Sequence, residues 1–343
     1  MSRIAVLGAG SWGTTLGLVL HGNGHEVTFW EFDAEQARRL IRERENKTFL
    51  PGIPIPEDIE ITNDLARAVE GSEMLVFAVP SHVVREVAGL AAPHVGPSTP
   101  VVNVAKGIEN GTLLRMSEVL AEKLERPGSD HIVSLVGPSH AEEVSRRLPT
   151  TIVSAAFDES AAVHVRDQFM METLRVYTNT DLVGVELGGS LKNIIAIAAG
   201  ICDGLGYGDN TKGALLTRGL AEITRLGIAL GGRPETFAGL SGMGDLITTC
   251  TSKHSRNRYV GEAIASGRSL EQILEDMVMV AEGVKTTRSA NELASREGIE
   301  MPIAHQMGRV LFEGIDPREA IAELMVRDPK SETAGTKPPR RVD

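Results

Sequence analysis

The chain has 343 residues, enough for two domains with a substantial core, and its composition is that of an ordinary globular protein. A formal net charge of −11 argues against nucleic acid or an acidic membrane surface as a partner, so a site for a small anion has to be built from a local cluster of Lys and Arg. No apolar run reaches the roughly 18 residues of a membrane span, so no membrane insertion is expected, and the N-terminus lacks the zones of a signal peptide. The only cysteines, Cys202 and Cys250, form neither a disulfide framework nor a metal-ligand spacing, so no metal is expected and a cytoplasmic location is.

In chain order, Ile4-Ala5-Val6-Leu7 reads as a buried first strand that runs into Gly8-Ala9-Gly10-Ser11-Trp12-Gly13. This is a G-x-G-x-x-G turn opening a helix over 12–23. Gly8 permits the tight turn, Gly10 lets backbone approach a pyrophosphate, and Gly13 lets helix and strand pack closely. The helix N-terminus then offers free N–H groups to the anion. A second strand over 26–30 ends at Glu31 and Asp33, about 20 positions beyond the glycines, where an acid would hold a ribose hydroxyl. Further strands are predicted over 74–79, 100–105, 131–136, 151–156 and 174–178, with helices over 82–91, 113–124 and 160–170 between them. Ser81 is a candidate helix cap, and Ser139 with Glu142 a capping box. The alternation predicts an α/β fold with a doubly wound, mainly parallel sheet.

From about Leu182 the pattern turns helical, with helices expected over 186–202, 212–230, 236–240, 256–265, 270–275, 284–296, 302–313 and 317–325. The reading is therefore a dinucleotide-binding domain over 1–181, an all-helical substrate domain over 182–327, and a loose polar tail over 328–343.

Three groups of residues outside the glycine loop stand out. Lys106 and Gly137-Pro138-Ser139 follow predicted strands, and ligands of open α/β sheets bind beyond strand carboxyl ends. Lys106 reads equally as a solvated loop charge. Lys192, followed by Asn193, lies in an almost uncharged helical stretch. It either snorkels to the surface or is held in a cleft with a lowered pKa, where it can exchange a proton with a carbonyl or alcohol oxygen. Finally, a glycine-rich turn precedes Asp245 and Thr249, and Ser255 can cap a helix that opens with Arg256 and Asn257. A cation at a helix N-terminus is poor for stability and good for a phosphate, although Arg256 and Arg258 would also be at home facing solvent.

Together these segments closely resemble the NAD(P)-dependent glycerol-3-phosphate dehydrogenases of the bacterial biosynthetic type. The likeness runs through residues 8–13, Val79-Pro80-Ser81, Lys106-Gly107, Gly137-Pro138-Ser139, 186–212, 236–258 and Val280-Ala281-Glu282-Gly283. It implies reduction of dihydroxyacetone phosphate to sn-glycerol 3-phosphate for phospholipid synthesis, with hydride from a nicotinamide and a proton from Lys192. It implies that Lys106 polarises the carbonyl and that Asp245 and Asn193 orient the lysines and substrate. Gly137, Ser139, Thr249, Ser255, Arg256 and Asn257 would complete the substrate site. On the cofactor side it points to Gly8, Gly10, Ser11, Trp12, Gly13, Phe32, Asp33, Lys106, Ala141, Arg256, Val280 and Glu282.

Two departures stand out. Many relatives that take NADPH carry an arginine just after the second strand, where Trp30-Glu31-Phe32-Asp33 has no cation. NAD(H) is therefore the expected cofactor, with NADP(H) as the second choice. His140 stands where Phe is common and is read as a packing substitute. A homodimer is expected from apolar helical faces such as 215–230. The alternatives are a two-domain dehydrogenase of hydroxy or sugar acids and a nucleotide-binding redox sensor.

Overall fold

The computed structural model describes residues 1–125, 131–329 and 331–332. Most of the expected tail, residues 330 and 333–343, lies outside the described residues. The sheet half runs β1 (Arg3–Leu7), α1 (Ser11–Gly22), β2 (Glu26–Trp30), α2 (Ala34–Glu43), β3 (Glu60–Thr62), α3 (Leu65–Val69), β4 (Met74–Phe77), α4 (Val84–Ala91), β5 (Val101–Asn103), α5 (Met116–Lys123), β6 (Ile132–Val136), α6 (Ala141–Val144), β7 (Thr150–Ala155), α7 (Glu159–Phe169) and β8 (Leu174–Asn179).

Among the described residues the strands form one sheet in the order β3-β2-β1-β4-β5-β6-β7-β8. All neighbours are parallel except β6 and β7, so β7 and β8 run against the first six. Strand side chains alternate between two buried faces. Ile4 and Val6 join a core with Leu16 and Leu20 of α1 and Phe169 of α7. Ala5 and Leu7 join the opposite core with Val84 and Val87 of α4 and Leu120 of α5. Strand order reverses between β1 and β4, and the loops beyond these two strands open a crevice there.

The helical half comprises α8 (Leu182–Gly204), α9 (Asp209–Ala229), α10 (Pro234–Phe237), a π-helical turn (Leu240–Gly244), α11 (Asp245–Thr251), α12 (Arg256–Ala265), α13 (Leu270–Asp276), α14 (Glu282–Glu297), α15 (Pro302–Phe312) and α16 (Pro317–Met325). Helix α8 begins four residues before the predicted start because Asp181 caps it, accepting from Gly184 N at 2.8 Å. By length and composition α8 alone among the described residues would suit a bilayer, but 94% of its most apolar stretch is buried inside the protein. It is a core helix, packed on α9, α11, α12 and α14.

Several local expectations change. Residues 31–73, left unassigned from sequence, hold α2, β3 and α3. Asp33 starts α2 by accepting from Glu35 N (2.8 Å) and Gln36 N. The predicted helix over 113–124 begins only at Met116, because Asn110-Gly111 turns the chain and bridges Ile108 to Arg115 first. The capping box at Ser139 and Glu142 does not form. His140 is the N-cap of α6, and the Ser139 hydroxyl donates to the Gly137 carbonyl at 3.1 Å. Nor does Ser81 cap a helix, since its N–H and hydroxyl both go to the Glu282 carboxylate.

Candidate active site

The crevice between the halves is a cleft of about 550 Å³. On the sheet side it is lined by Gly8, Gly10, Ser11 and Trp12 after β1, Glu31 and Phe32 after β2, Val79 and Pro80 after β4, Lys106 after β5, and Ser139 to Glu142 after β6. On the helical side it is lined by Lys192 and Asn193 of α8, Asp245 and Thr249 of α11, and His254 to Asn257 at the start of α12. Val278 to Val280 and Glu282 complete that wall. Of the residues singled out from sequence, Gly13, Asp33, Gly137, Pro138 and Arg258 do not line the cleft, and Arg258 donates to Asp203 at 2.6 Å.

The glycine loop fits a pyrophosphate. Gly8 sits at φ +106, and a Cβ there would stand 2.9 Å from the Ala78 carbonyl oxygen; at Gly13 it would stand 1.9 Å from the Gly8 carbonyl oxygen. Both glycines are therefore required by backbone and packing. At Gly10 a Cβ would meet no protein atom within 4 Å, so the protein's own packing does not demand a glycine there. The bare backbone there leaves the loop open to the cleft. No side chain caps α1 at Gly10, which leaves first-turn N–H groups to an anion. The loop is braced from behind by Asn46, whose amide donates to the Ala9 carbonyl (2.7 Å) and to Thr14 Oγ1 (2.9 Å).

Opposite this loop, Lys192 and Asp245 are 4% and 2% exposed. Lys192 Nζ lies 2.6 Å from Asp245 Oδ1 and also donates to Thr249 Oγ1. Lys106 Nζ lies 2.8 Å from the other Asp245 oxygen and 3.0 Å from the Gly137 carbonyl oxygen. One carboxylate thus holds two ammonium groups, one from each half of the molecule. With both lysines charged the trio carries one net positive charge. Each ammonium has two committed donors and a third hydrogen left for a ligand. Burial lowers the Lys192 pKa to about 8, the neighbouring Lys106 charge adds to this, and Asp245 opposes it. Burial pushes the Asp245 carboxyl up, but Lys106 and Lys192 together hold it below the usual range.

Beside the trio, Asn257 Nδ2 donates to Asn193 Oδ1 (2.9 Å) and Asn257 Oδ1 accepts from Gly283 N (2.9 Å). Ser255 caps α12 as expected, accepting from Arg258 N at 3.2 Å. Arg256 is exposed, and its guanidinium donates to the Val280 carbonyl at 3.1 Å. Asp33 spends its carboxylate on capping α2, so Glu31 is the acid of β2's end that faces the cleft. Burial raises the Glu31 carboxyl pKa, partly offset by backbone N–H groups including that of Asp33. Sequence reasoning missed Asn46 and the clasp of Ser81 on Glu282. Both depend on residues distant in the chain, and neither leaves a local pattern.

A glycine loop at the crossover point of a doubly wound sheet, facing a buried amine on a helical domain, defines a two-domain oxidoreductase of the dinucleotide-binding class. The chain belongs to the family of NAD-dependent glycerol-3-phosphate dehydrogenases: models described as that family's N-terminus and C-terminus match residues 3–162 and 181–322. It is 54% identical over 325 residues to a protein of Pelotomaculum thermopropionicum named glycerol-3-phosphate dehydrogenase (NAD(P)+), covering 95% of this chain and 93% of that one. A protein of the same name from Salinibacter ruber is 52% identical, with 97% of each chain covered. The crystal structure of the Coxiella burnetii glycerol-3-phosphate dehydrogenase superposes with a TM-score of 0.90 at 38% identity, over 95% of this chain and 99% of that one.

Proposed function

We propose that this chain reduces dihydroxyacetone phosphate to sn-glycerol 3-phosphate, with Lys192 giving the proton and NADH the preferred cofactor. The observation that carries this reading is the Lys106–Asp245–Lys192 trio, because it joins both halves at the cleft the glycine loop lines. When bound, the nicotinamide supplies hydride to the carbonyl carbon. Lys192, its pKa lowered by burial to about 8, carries its proton at pH 7 and hands it to the developing alkoxide. Lys106 aims its charge at the same oxygen, where negative charge grows. Asp245 and Thr249 fix the direction of the Lys192 ammonium. In the reverse reaction neutral Lys192 takes the proton from the alcohol.

The phosphate is assigned to the first turn of α12, where Arg256 and Asn257 stand beside the capping Ser255. Ser139 and Asn193 are assigned to the substrate hydroxyls. The preference for NADH rests on Glu31, an acid facing the cleft with no cation beside it in Trp30-Glu31-Phe32-Asp33, which repels the additional phosphate of NADPH. We take residues 1–181 and 182–327 as the two domains, since β8 ends at Asn179 and the Asp181 cap opens α8. A reducing cytoplasm suits the two buried free cysteines. For pairing of two copies, Leu215, Leu216, Leu220 and Leu230 pack against the helical core and leave Ile228 exposed on α9. Sedimentation at micromolar concentration tests that pairing, and a single monomer species removes it.

The deciding assay is steady-state oxidation of NADH and NADPH with dihydroxyacetone phosphate and with 2-keto acids. Turnover with the phosphorylated ketone and a higher kcat/KM for NADH is expected. Turnover confined to keto acids overturns the substrate reading, and a clearly higher kcat/KM for NADPH overturns the cofactor reading.

A further inference from the structure

Helix α8 meets the sheet half at a second buried charge. Glu186, six residues before Lys192 and 5% exposed, points its carboxylate into the sheet half. One carboxylate oxygen accepts from Ser117 N (2.9 Å) and Ser134 Oγ (2.9 Å). The other accepts from Ser117 Oγ (2.6 Å) and Arg115 Nη1 (2.7 Å). These donors come from β6 and from the start of α5. Arg115 balances the Glu186 charge and also reaches the more exposed Glu118 at 3.0 Å.

The hydrogen bonds do not stop at Ser134. Its hydroxyl oxygen accepts from Asn103 Nδ2 at 3.3 Å. Asn103 ends β5 and brackets the backbone of Ala105, donating to its carbonyl oxygen and accepting from its N–H, each at 3.1 Å. Ala105 is the residue before Lys106. A closed circuit results: α8 carries Glu186, which holds Ser134, which holds Asn103, which holds the base of Lys106. Lys106 reaches Asp245, and Asp245 returns to Lys192 on α8. The two ends of the circuit on α8 are about 9 Å apart along its axis.

We propose that Glu186 is a positioning residue for the reaction: through Ser134 and Asn103 it sets where Lys106 stands relative to Lys192. This rests on the proton-donor reading of Lys192 given above. A buried ion pair contributes little net stability compared with well-packed apolar side chains, so its directional bonds are what a hydrophobic joint could not replace. The charged and titratable groups around Lys192 are Asp245 and Cys250 on α11, Lys106 beyond β5, and His140 at the start of α6. Lys106 is the one of these that the circuit holds from the sheet side, and its charge lowers the Lys192 pKa. Slackening the circuit moves Lys106 away and lets that pKa rise.

The test uses the full-length enzyme, NADH and dihydroxyacetone phosphate, with Glu186→Gln and Ser134→Ala. The second variant removes one relay hydroxyl and leaves in place both the Glu186–Arg115 pair and the direct contact of Asn103 Nδ2 with Glu186 at 3.5 Å, and Tm is read on both variants. Both variants are expected to lose kcat, by about tenfold for Glu186→Gln and less for Ser134→Ala, as misplaced catalytic groups do. KM for NADH stays unchanged, and the limb of kcat near pH 8 moves to higher pH in both. A purely structural role predicts a lower Tm with no movement of the limb, and that result overturns the proposal. So does wild-type kcat and pH profile in Ser134→Ala together with Glu186→Gln. If the wild-type enzyme itself shows no limb near pH 8, the proton-donor reading falls. The positioning role is then decided by kcat in the two variants together, which supports it if either is reduced with KM for NADH unchanged and overturns it if neither is.

Discussion

Asp245 and Glu222 are buried to nearly the same extent, 2% and 3% exposed, both in the helical half. Their protonation goes in opposite directions. Glu222 sits on α9 and accepts only backbone N–H groups at the start of α15, from Ile303 at 2.9 Å and Ala304 at 3.2 Å. Burial pushes its carboxyl pKa up to about 7. Asp245 suffers the same desolvation, but two ammonium groups hold it ionised. Glu31 is intermediate, raised by burial with backbone N–H groups opposing. The difference teaches what distinguishes the cleft from the helical interior behind it. Helix-terminal amides can accommodate a buried carboxyl, whereas only paired opposite charges keep it charged. The cleft is where the protein assembles such charges from both halves.

The largest expected effect comes from removing one of the cleft's ammonium groups. Lys192→Met should lower kcat by a factor on the order of 10² to 10⁴, the usual worth of a positioned general acid. NADH affinity, read by quenching of protein fluorescence, should be nearly unchanged. Turnover within a few-fold of wild type would remove Lys192 from the mechanism. Next comes Asp245→Asn, with kcat lower by about 10²-fold because both lysines lose their anchor. Without the carboxylate that raises the Lys192 pKa, the limb in the kcat profile should move below pH 8. This is the opposite direction from the Glu186 and Ser134 variants, so the two kinds of perturbation separate.

Glu222 provides the contrast. Burial pushes its folded carboxyl up to about 7 from an ordinary 4.5. Between those values the folded state binds more protons than the unfolded one, so stability falls as pH rises. The size is on the order of 3 kcal/mol. Urea unfolding at pH 4.5 and pH 7.5 should show this loss in the wild type and its disappearance in Glu222→Gln, with kcat unaffected. An equal slope in both proteins would mean that Glu222 is charged throughout. The smallest effect is expected at Glu31. Glu31→Ala removes the like charge facing an additional phosphate and should raise kcat/KM for NADPH relative to NADH by about tenfold. An unchanged ratio would move cofactor selectivity elsewhere.

The glycine loop, the strand–helix alternation and the unusual Lys192 were legible because each leaves a local signature. These are spaced glycines after an apolar run, a change of hydrophobic period, and a charge in an uncharged helix. What was not legible depends on partners far apart in the chain. Ser139 looked like a cap and instead bonds the Gly137 carbonyl, because the cap position falls one residue later, at His140. Ser81 looked like a cap and instead clasps Glu282, 201 residues away. Glu186 drew no reading of its own beyond opening the predicted helix over 186–202, because its donors lie on β6 and at the start of α5. The three-residue β3 and the five-residue α3 are too short for any periodicity to show.

The most direct measurement is the pH dependence of kcat for ketone reduction in the wild type and in Lys192→Met. Wild-type kcat should fall through a single limb near pH 8 as Lys192 loses its proton, while the residual activity of the variant stays flat across that range. The same limb in both proteins would show that the proton comes from another group.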